Sequence, residues 1–269
     1  MSANKQPIGI FDSGIGGLTV AKAIAEQLPN ESLIYFGDTL HLPYGDKSTE
    51  AIKHYSQTIA WFLAEKNCKA IVIACNTASA SSFDLLKKMY GNKLPIVSVI
   101  DPLIDYVVEQ NYSSVGVLAT PRTVELATYH DKLKAKQPNL KVKSVAAKSL
   151  ASIIEEGFQH NEELIQSIIQ YYFSKENFPN LDSLILGCTH YPVIHQKIQE
   201  FRKDLEVIDA PLIIAKHLKS QLQALNLLSN ELSAKHCFYV SDYTNNFEAS
   251  AKTFFGESIE LQYCPLFQN

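Results

Sequence analysis

Two cysteines of this 269-residue chain stand in matching surroundings. Cys75 closes the apolar run of AIVIACNTASA, and Cys188 closes that of SLILGCTHYP. Small polar residues follow at once: Asn76, Thr77 and Ser79 after the first, Thr189 and His190 after the second. A helical pattern begins near Ser81, and Pro192 suits the first turn of a helix. Each thiol therefore precedes a helix N-terminus, whose unpaired N–H groups favour a thiolate and bind carboxylates. A single cysteine at a strand end is usually an inert small hydrophobe. That reading fits Cys68, Cys237 and Cys264. Two thiols in one repeated context point instead to a site.

The chemistry open to such a site depends on how many thiols act. One thiolate beside His190 would suit acyl transfer, as in cysteine hydrolases. Two thiols on opposite sides of a substrate would suit inversion of a stereocentre next to a carboxylate. That reaction needs a base on one face, an acid on the other, and stabilisation of the carbanionic intermediate between them. A two-lobed amino-acid binding protein would need neither thiol to ionise. Three further stretches bear on the choice. FDSGIGG lacks the third glycine of a dinucleotide fingerprint, because Thr19 falls there, and it lacks the lysine of a phosphate loop. Asp12 there is either a helix cap or, with Ser13, a group in the cleft. GDTLHLPYGDKS is a long turn-rich loop able to cover a site, with Tyr44 and Gly45 near its middle. Glu155 and Glu156 read as a solvated helix end.

The elements that must position these residues are legible as apolar runs. IGIF, LIYFGD, AIVIAC, PIVSVI, SVGVLAT, VKSVAA, SLILGC and EVIDA read as strands, mostly continuous, as in parallel sheets covered on both faces. Amphipathic stretches lie between them. Leu18, Ala21, Ile24, Ala25 and Leu28 share one helical face. Ser48 is a plausible N-cap for a helix carrying Ile52, Tyr55, Ile59 and Phe62. Alternating strands and helices give an α/β fold with parallel sheets. The chain also repeats: IGIFDSG resembles VGVLATP, and IVIACNT resembles LILGCTH, at spacings that agree to within a few residues. Two pseudo-symmetric α/β domains follow, with mainly parallel sheets flanked by helices. Sites in such sheets lie beyond the carboxyl ends of strands, so both cysteines would face an interdomain cleft.

Composition narrows the class. Hydrophobic residues make up 46% of the chain, and the formal net charge is -4 with no basic block, so no nucleic-acid partner is expected. No apolar stretch reaches the length of a membrane span and no signal peptide is visible, so a cytoplasmic protein without a membrane partner is expected. The five cysteines show no C-x-x-C spacing, and no metal or cofactor is expected.

IGIFDSGIGGLTV, YFGDTLHLPYGDKS, IVIACNTASA, GVLATPRTV and LILGCTHYP together resemble the cofactor-independent aspartate/glutamate racemase family, on its glutamate-acting side. The resemblance runs from about Pro7 to Asp209. It implies a first domain of residues 1–97 plus 211–269 and a second of residues 98–210. It implies that Cys75 deprotonates D-glutamate, assisted by Asp12, and that Cys188 deprotonates L-glutamate, assisted by His190. Ser13, Asn76, Thr77 and Thr189 would hold the substrate, with the Tyr44–Gly45 backbone nearby. Thr120 and Thr123 are further binding candidates, and Glu155 matches a carboxylate near the second cysteine. Family members carry a cysteine-proline pair and another proline ahead of that carboxylate, where this chain reads AAKSLASIIEE. The implied product is D-glutamate for peptidoglycan. Family members pair in several ways, a homodimer among them. Only about six residues precede Pro7, and regulation by a cell-wall precursor is not expected.

Overall fold

A computed structural model describes residues 3–230 and 234–267. Eight strands lie where the apolar runs predict them: β1 (Ile8–Asp12), β2 (Leu33–Gly37), β3 (Ala70–Ile73), β4 (Ile96–Ser98), β5 (Ser114–Ala119), β6 (Lys141–Ala146), β7 (Ser183–Gly187) and β8 (Glu206–Val207). Two more, β9 (His236–Val240) and β10 (Leu261–Tyr263), are partly exposed and lie outside the runs read as strands, although CFYV in β9 is itself apolar. Every pairing among them is parallel.

The strands form two sheets, ordered β10-β9-β2-β1-β3-β4 and β6-β5-β7-β8. The order β2-β1-β3-β4 of the first recurs as β6-β5-β7-β8 in the second, as the sequence repeat predicts. Ile8 pairs with Leu33 and Ala70, while Val115 pairs with Val142 and Ser183. In this order the chain leaves the first strand in opposite directions on its two sides. A crevice therefore opens at the carboxyl ends of β1 and β3, and of β5 and β7. The two cysteines follow β3 and β7.

Eleven helices are described: α1 (Leu18–Gln27), α2 (Thr49–Glu65), α3 (Asn76–Tyr90), α4 (Asp101–Glu109), α5 (Pro121–Glu125), α6 (Thr128–Lys136), α7 (Leu150–Glu155), α8 (Glu162–Tyr172), α9 (His195–Phe201), α10 (Ala210–Ala224) and α11 (Asn245–Phe254). The predicted caps and faces hold. Ser48 Oγ accepts the Ala51 N–H at 3.2 Å, and Ile52 and Ile59 are buried. Leu18, Ala21 and Ile24 are buried on α1, which packs against α10. Along β1, Ile8 and Ile10 join one core while Phe11 faces the other, the two-residue period of a strand covered on both sides. Burying each such side chain contributes roughly 1.5–3 kcal/mol. No helix among the described residues is long and apolar enough to cross a membrane.

Candidate active site

Asp12 ends β1 and is fully buried. Its Oδ2 accepts the Gly14 N–H at 3.0 Å, and its Oδ1 accepts the Thr189 hydroxyl at 3.4 Å. It does not cap α1, whose N-cap is Gly17 with no side-chain bond. The glycines of this loop serve close approach. A Cβ on Gly16 would lie 2.4 Å from His190 Cε1 and 2.8 Å from Thr189 Oγ1, and one on Gly17 would lie 2.5 Å from Asp12 Cβ. The Tyr35 hydroxyl donates to Gly14 O at 2.9 Å and holds the loop from beneath. Burial pushes the Asp12 carboxyl up, against the opposing pull of His190.

Cys75 is the N-cap of α3. Its Sγ accepts the Ala78 N–H at 3.4 Å and lies 3.6 Å from Ser13 Oγ. The sequence context predicts a thiolate there, and the structure reverses that expectation. Burial first, then the Asp12 carboxylate, push the thiol up to about 12, and the hydrogen bonds with Ala78 and Ser13 only partly offset them. Helix-end donors win at a wet surface; here desolvation is larger.

Asn76 opens α3, and its Oδ1 accepts the hydroxyl of Tyr129, from α6, at 2.6 Å. That bond fixes the amide, and the sequence carries no signal for Tyr129. Three hydroxyls form a closed set: Thr77 to Thr120 at 2.9 Å, Thr77 to Thr123 at 3.2 Å, and Thr120 to Thr123 at 2.9 Å. Thr77 follows β3 and the other two follow β5, so the set ties the two sheets together. A Cβ on Gly45 would meet the Thr120 Cβ at 3.0 Å, so the loop seats its turn directly on Thr120. The Tyr44 hydroxyl donates to Asp38 at 2.6 Å, away from the cysteines.

On the other side, Cys188 Sγ lies 3.6 Å from His190 Nδ1, and His190 Nε2 bonds Glu155. Glu155 is not the solvated helix end that its neighbourhood predicts: its side chain is 12% exposed. Gly157, at φ +85°, follows the end of α7 in the left-handed conformation that favours glycine. Burial alone would lower the His190 imidazolium, but the Glu155 carboxylate and the Cys188 sulfur outweigh it and hold the ring well above its usual range. The α-helix expected directly after Cys188 is a 3-10 turn, Tyr191–Ile194, carrying Pro192, and α9 begins only at His195.

One cavity of about 200 Å³ collects these groups. Ser13, Tyr44, Gly45, Cys75, Asn76, Thr77, Thr120, Glu155, Cys188, Thr189 and His190 all line it. Asp12 and Thr123 stand one bond behind the wall, through Thr189 and through Thr77 and Thr120. Leu42, Ser152, Glu156 and Phe247 are among the other lining residues. Leu42 lies in the covering loop, whereas no motif marks Phe247. Among the described residues, no cluster of three or more His, Cys, Asp or Glu side chains is placed to hold a metal ion.

Two parallel sheets of matching strand order flank a small cleft lined by a thiol from each, and the family this chain matches is one of amino-acid racemases, which are isomerases. The chain belongs to the Asp/Glu/hydantoin racemase family, whose model matches residues 8–218. It is 37% identical to a glutamate racemase of Aquifex aeolicus over 254 residues, covering 94% of this chain and 95% of that one. A glutamate racemase of Francisella tularensis, solved in complex with D-glutamate, superposes with a TM-score of 0.91 at 37% identity, covering 98% and 99% of the two chains. A glutamate racemase isoform of Bacillus anthracis gives 0.91 at 32% identity, covering 97% and 99%.

Proposed function

We propose that this racemase interconverts L- and D-glutamate by two thiols acting from opposite faces of the α-carbon. One observation carries the reading: Cys75 and Cys188 come from equivalent positions in two sheets and line the same cavity. A single-thiol hydrolase would not need the second. The relatives' names support glutamate as substrate.

In the L-to-D direction, the Cys188 thiolate removes the α-proton, and the His190 imidazolium, paired with Glu155, balances the sulfur's charge. The Cys75 thiol, held protonated by burial and Asp12, delivers a proton to the opposite face. The reverse direction exchanges the two roles. An arriving substrate ammonium favours thiolate at Cys75 by the attraction that Asp12 opposes. Asn76, Ser13, Thr77, Thr120 and Thr189 offer donors for the carboxylates, and Thr123 orients two of them.

The division into residues 1–97 plus 211–269 and 98–210 belongs to this reading; it is supported by the six-stranded sheet drawing on the first set, except for Ser98 at the end of β4, and the four-stranded sheet on the second. So does a cytoplasmic role in supplying D-glutamate for peptidoglycan. The test is circular dichroism of L-glutamate and L-aspartate incubated separately with the protein. Decay of the glutamate signal to zero is expected. An unchanged signal overturns the reading, and equal kcat/KM for the two acids overturns the glutamate assignment.

A further inference from the structure

The C-terminal segment carries no motif, yet it reaches the Cys188 side of the cleft at three points. All three lie on α11, which belongs to the segment that completes the six-stranded sheet. Phe247 lines the cavity. Ser250 Oγ donates to the Glu155 backbone oxygen at 3.0 Å. The Phe254 ring meets the His190 ring edge-on, with centroids 5.6 Å apart and planes at 85°. These residues are three and four apart, so they share one face of the helix. Phe254 is buried, and the edge-to-face contact is a favoured aromatic geometry.

The start of α11 is itself fixed. The Ser241 hydroxyl donates to Asp38 at 2.8 Å, the Leu40 N–H donates to Ser241 Oγ at 2.9 Å, and the Asp242 N–H donates to Thr39 Oγ1 at 2.9 Å. The Thr244 hydroxyl caps the helix by accepting the Phe247 N–H at 3.3 Å. So the helix that touches Glu155 and His190 is anchored to the loop that supplies Leu42, Tyr44 and Gly45. The hydrogen bonds of Cys75 among the described residues go to Ser13 and Ala78, outside α11.

We propose that Ser250 and Phe254 are positioning residues for Glu155 and His190, through which the C-terminal helix governs proton transfer at Cys188 and leaves transfer at Cys75 untouched. This rests on the two-thiol racemase reading. Ser250 holds the end of α7 at the distance from which Glu155 reaches His190. Phe254 blocks the imidazole from swinging away from the sulfur.

The test uses the full chain, the native protein first, then Ser250→Ala, Ser250→Thr and Phe254→Leu. Losing one such hydrogen bond predicts a fall of about 3–10-fold in kcat/KM for Ser250→Ala, equal in both directions because the enantiomers have equal free energy. Ser250→Thr keeps the hydroxyl and should restore the rate. The discriminating readout is the deuterium isotope effect at the α-carbon. If transfer at Cys188 becomes slower, the effect measured from L-[2-²H]glutamate rises in Ser250→Ala and Phe254→Leu, and that from D-[2-²H]glutamate falls. A merely structural role would lower the rate and leave both effects where they were. Unchanged isotope effects, an unchanged rate, or the reverse pattern would each overturn the inference while an active native protein leaves the racemase reading standing. An inactive native protein overturns both.

Discussion

The imidazole of His190 lies in the space that a side chain on Gly16 would need, with Cε1 2.4 Å and Nδ1 2.5 Å from the Cβ position. The loop after β1 thus packs directly on the ring that faces Cys188. The ring is buried and bonded to Glu155, so it has no slack to give. Gly16→Ala should therefore displace His190 and lower kcat about 100-fold or more, the cost of misplacing a catalytic group by about 1 Å. Racemisation followed by circular dichroism, beside the far-ultraviolet spectrum of the variant, checks this. Near-native activity would mean that His190 can move freely.

On the two-thiol reading, removing either thiol should separate the two faces of the reaction. Cys75→Ala and Cys188→Ala should each abolish racemisation. A glutamate analogue with a good leaving group on the β-carbon needs proton removal from one face only. Cys75→Ala should then still eliminate from the L-analogue and Cys188→Ala from the D-analogue, at reduced rates. Both variants preferring the same enantiomer would refute the two-base assignment.

Alkylation should report the environment of Cys75. With its thiol pushed up to about 12, the reactive thiolate is a small fraction at neutral pH, and that fraction grows tenfold with each pH unit below that value. Iodoacetamide labelling at Cys75, read by peptide mass spectrometry, should rise about tenfold per unit between pH 7 and 9. Glutamate should protect. A rate that is flat across this range would mean that the thiol is already ionised.

Tyr129→Phe removes the hydroxyl that holds Asn76 from across the cleft. The Asn76 amide should then lose its fixed orientation. KM for glutamate is expected to rise about 3–10-fold, the worth of one hydrogen bond, with a smaller change in kcat. Steady-state kinetics decide. An equal loss in kcat would place Tyr129 nearer to the proton transfers.

His190 links stability to pH. Its folded-state value is raised above that of the unfolded chain, so the stability it contributes is fully present below about pH 6.5 and is lost as pH rises through the folded value. Glu155→Gln removes the carboxylate responsible for much of that rise. The difference in Tm between native protein and Glu155→Gln should be largest below about pH 6.5 and shrink in alkaline buffer. Thermal melts across this range provide the check.

How legible the site was depended on locality. The eight apolar strands, the repeat and both thiols could be read because each is a local pattern that the parallel sheet turns into position. The role of Asp12 depended on a partner far along the chain, Thr189, so the sequence left it between helix cap and cleft. Glu155 looked solvated because a short helix end reads the same whether it meets water or His190. Tyr129, Ser250 and Phe254 gave no signal, since their partners lie in other elements. The ionisation of Cys75 escapes the sequence because helix-end donors are visible there and burial is not.

The edge that β9 closes also sets an order of events at the ribosome. Strand β2 pairs with β1 on one side, but its other side must wait for residues 236–240, and Asp38 meets Ser241 only across 203 residues. Until then a buried-type strand is left with a row of unpaired amides, an invitation to pair with the wrong chain. The four-stranded sheet draws on one continuous stretch and can close while synthesis continues. The last helix to emerge is the one that leans on His190. A nascent chain therefore carries both thiols before the packing around His190 is complete.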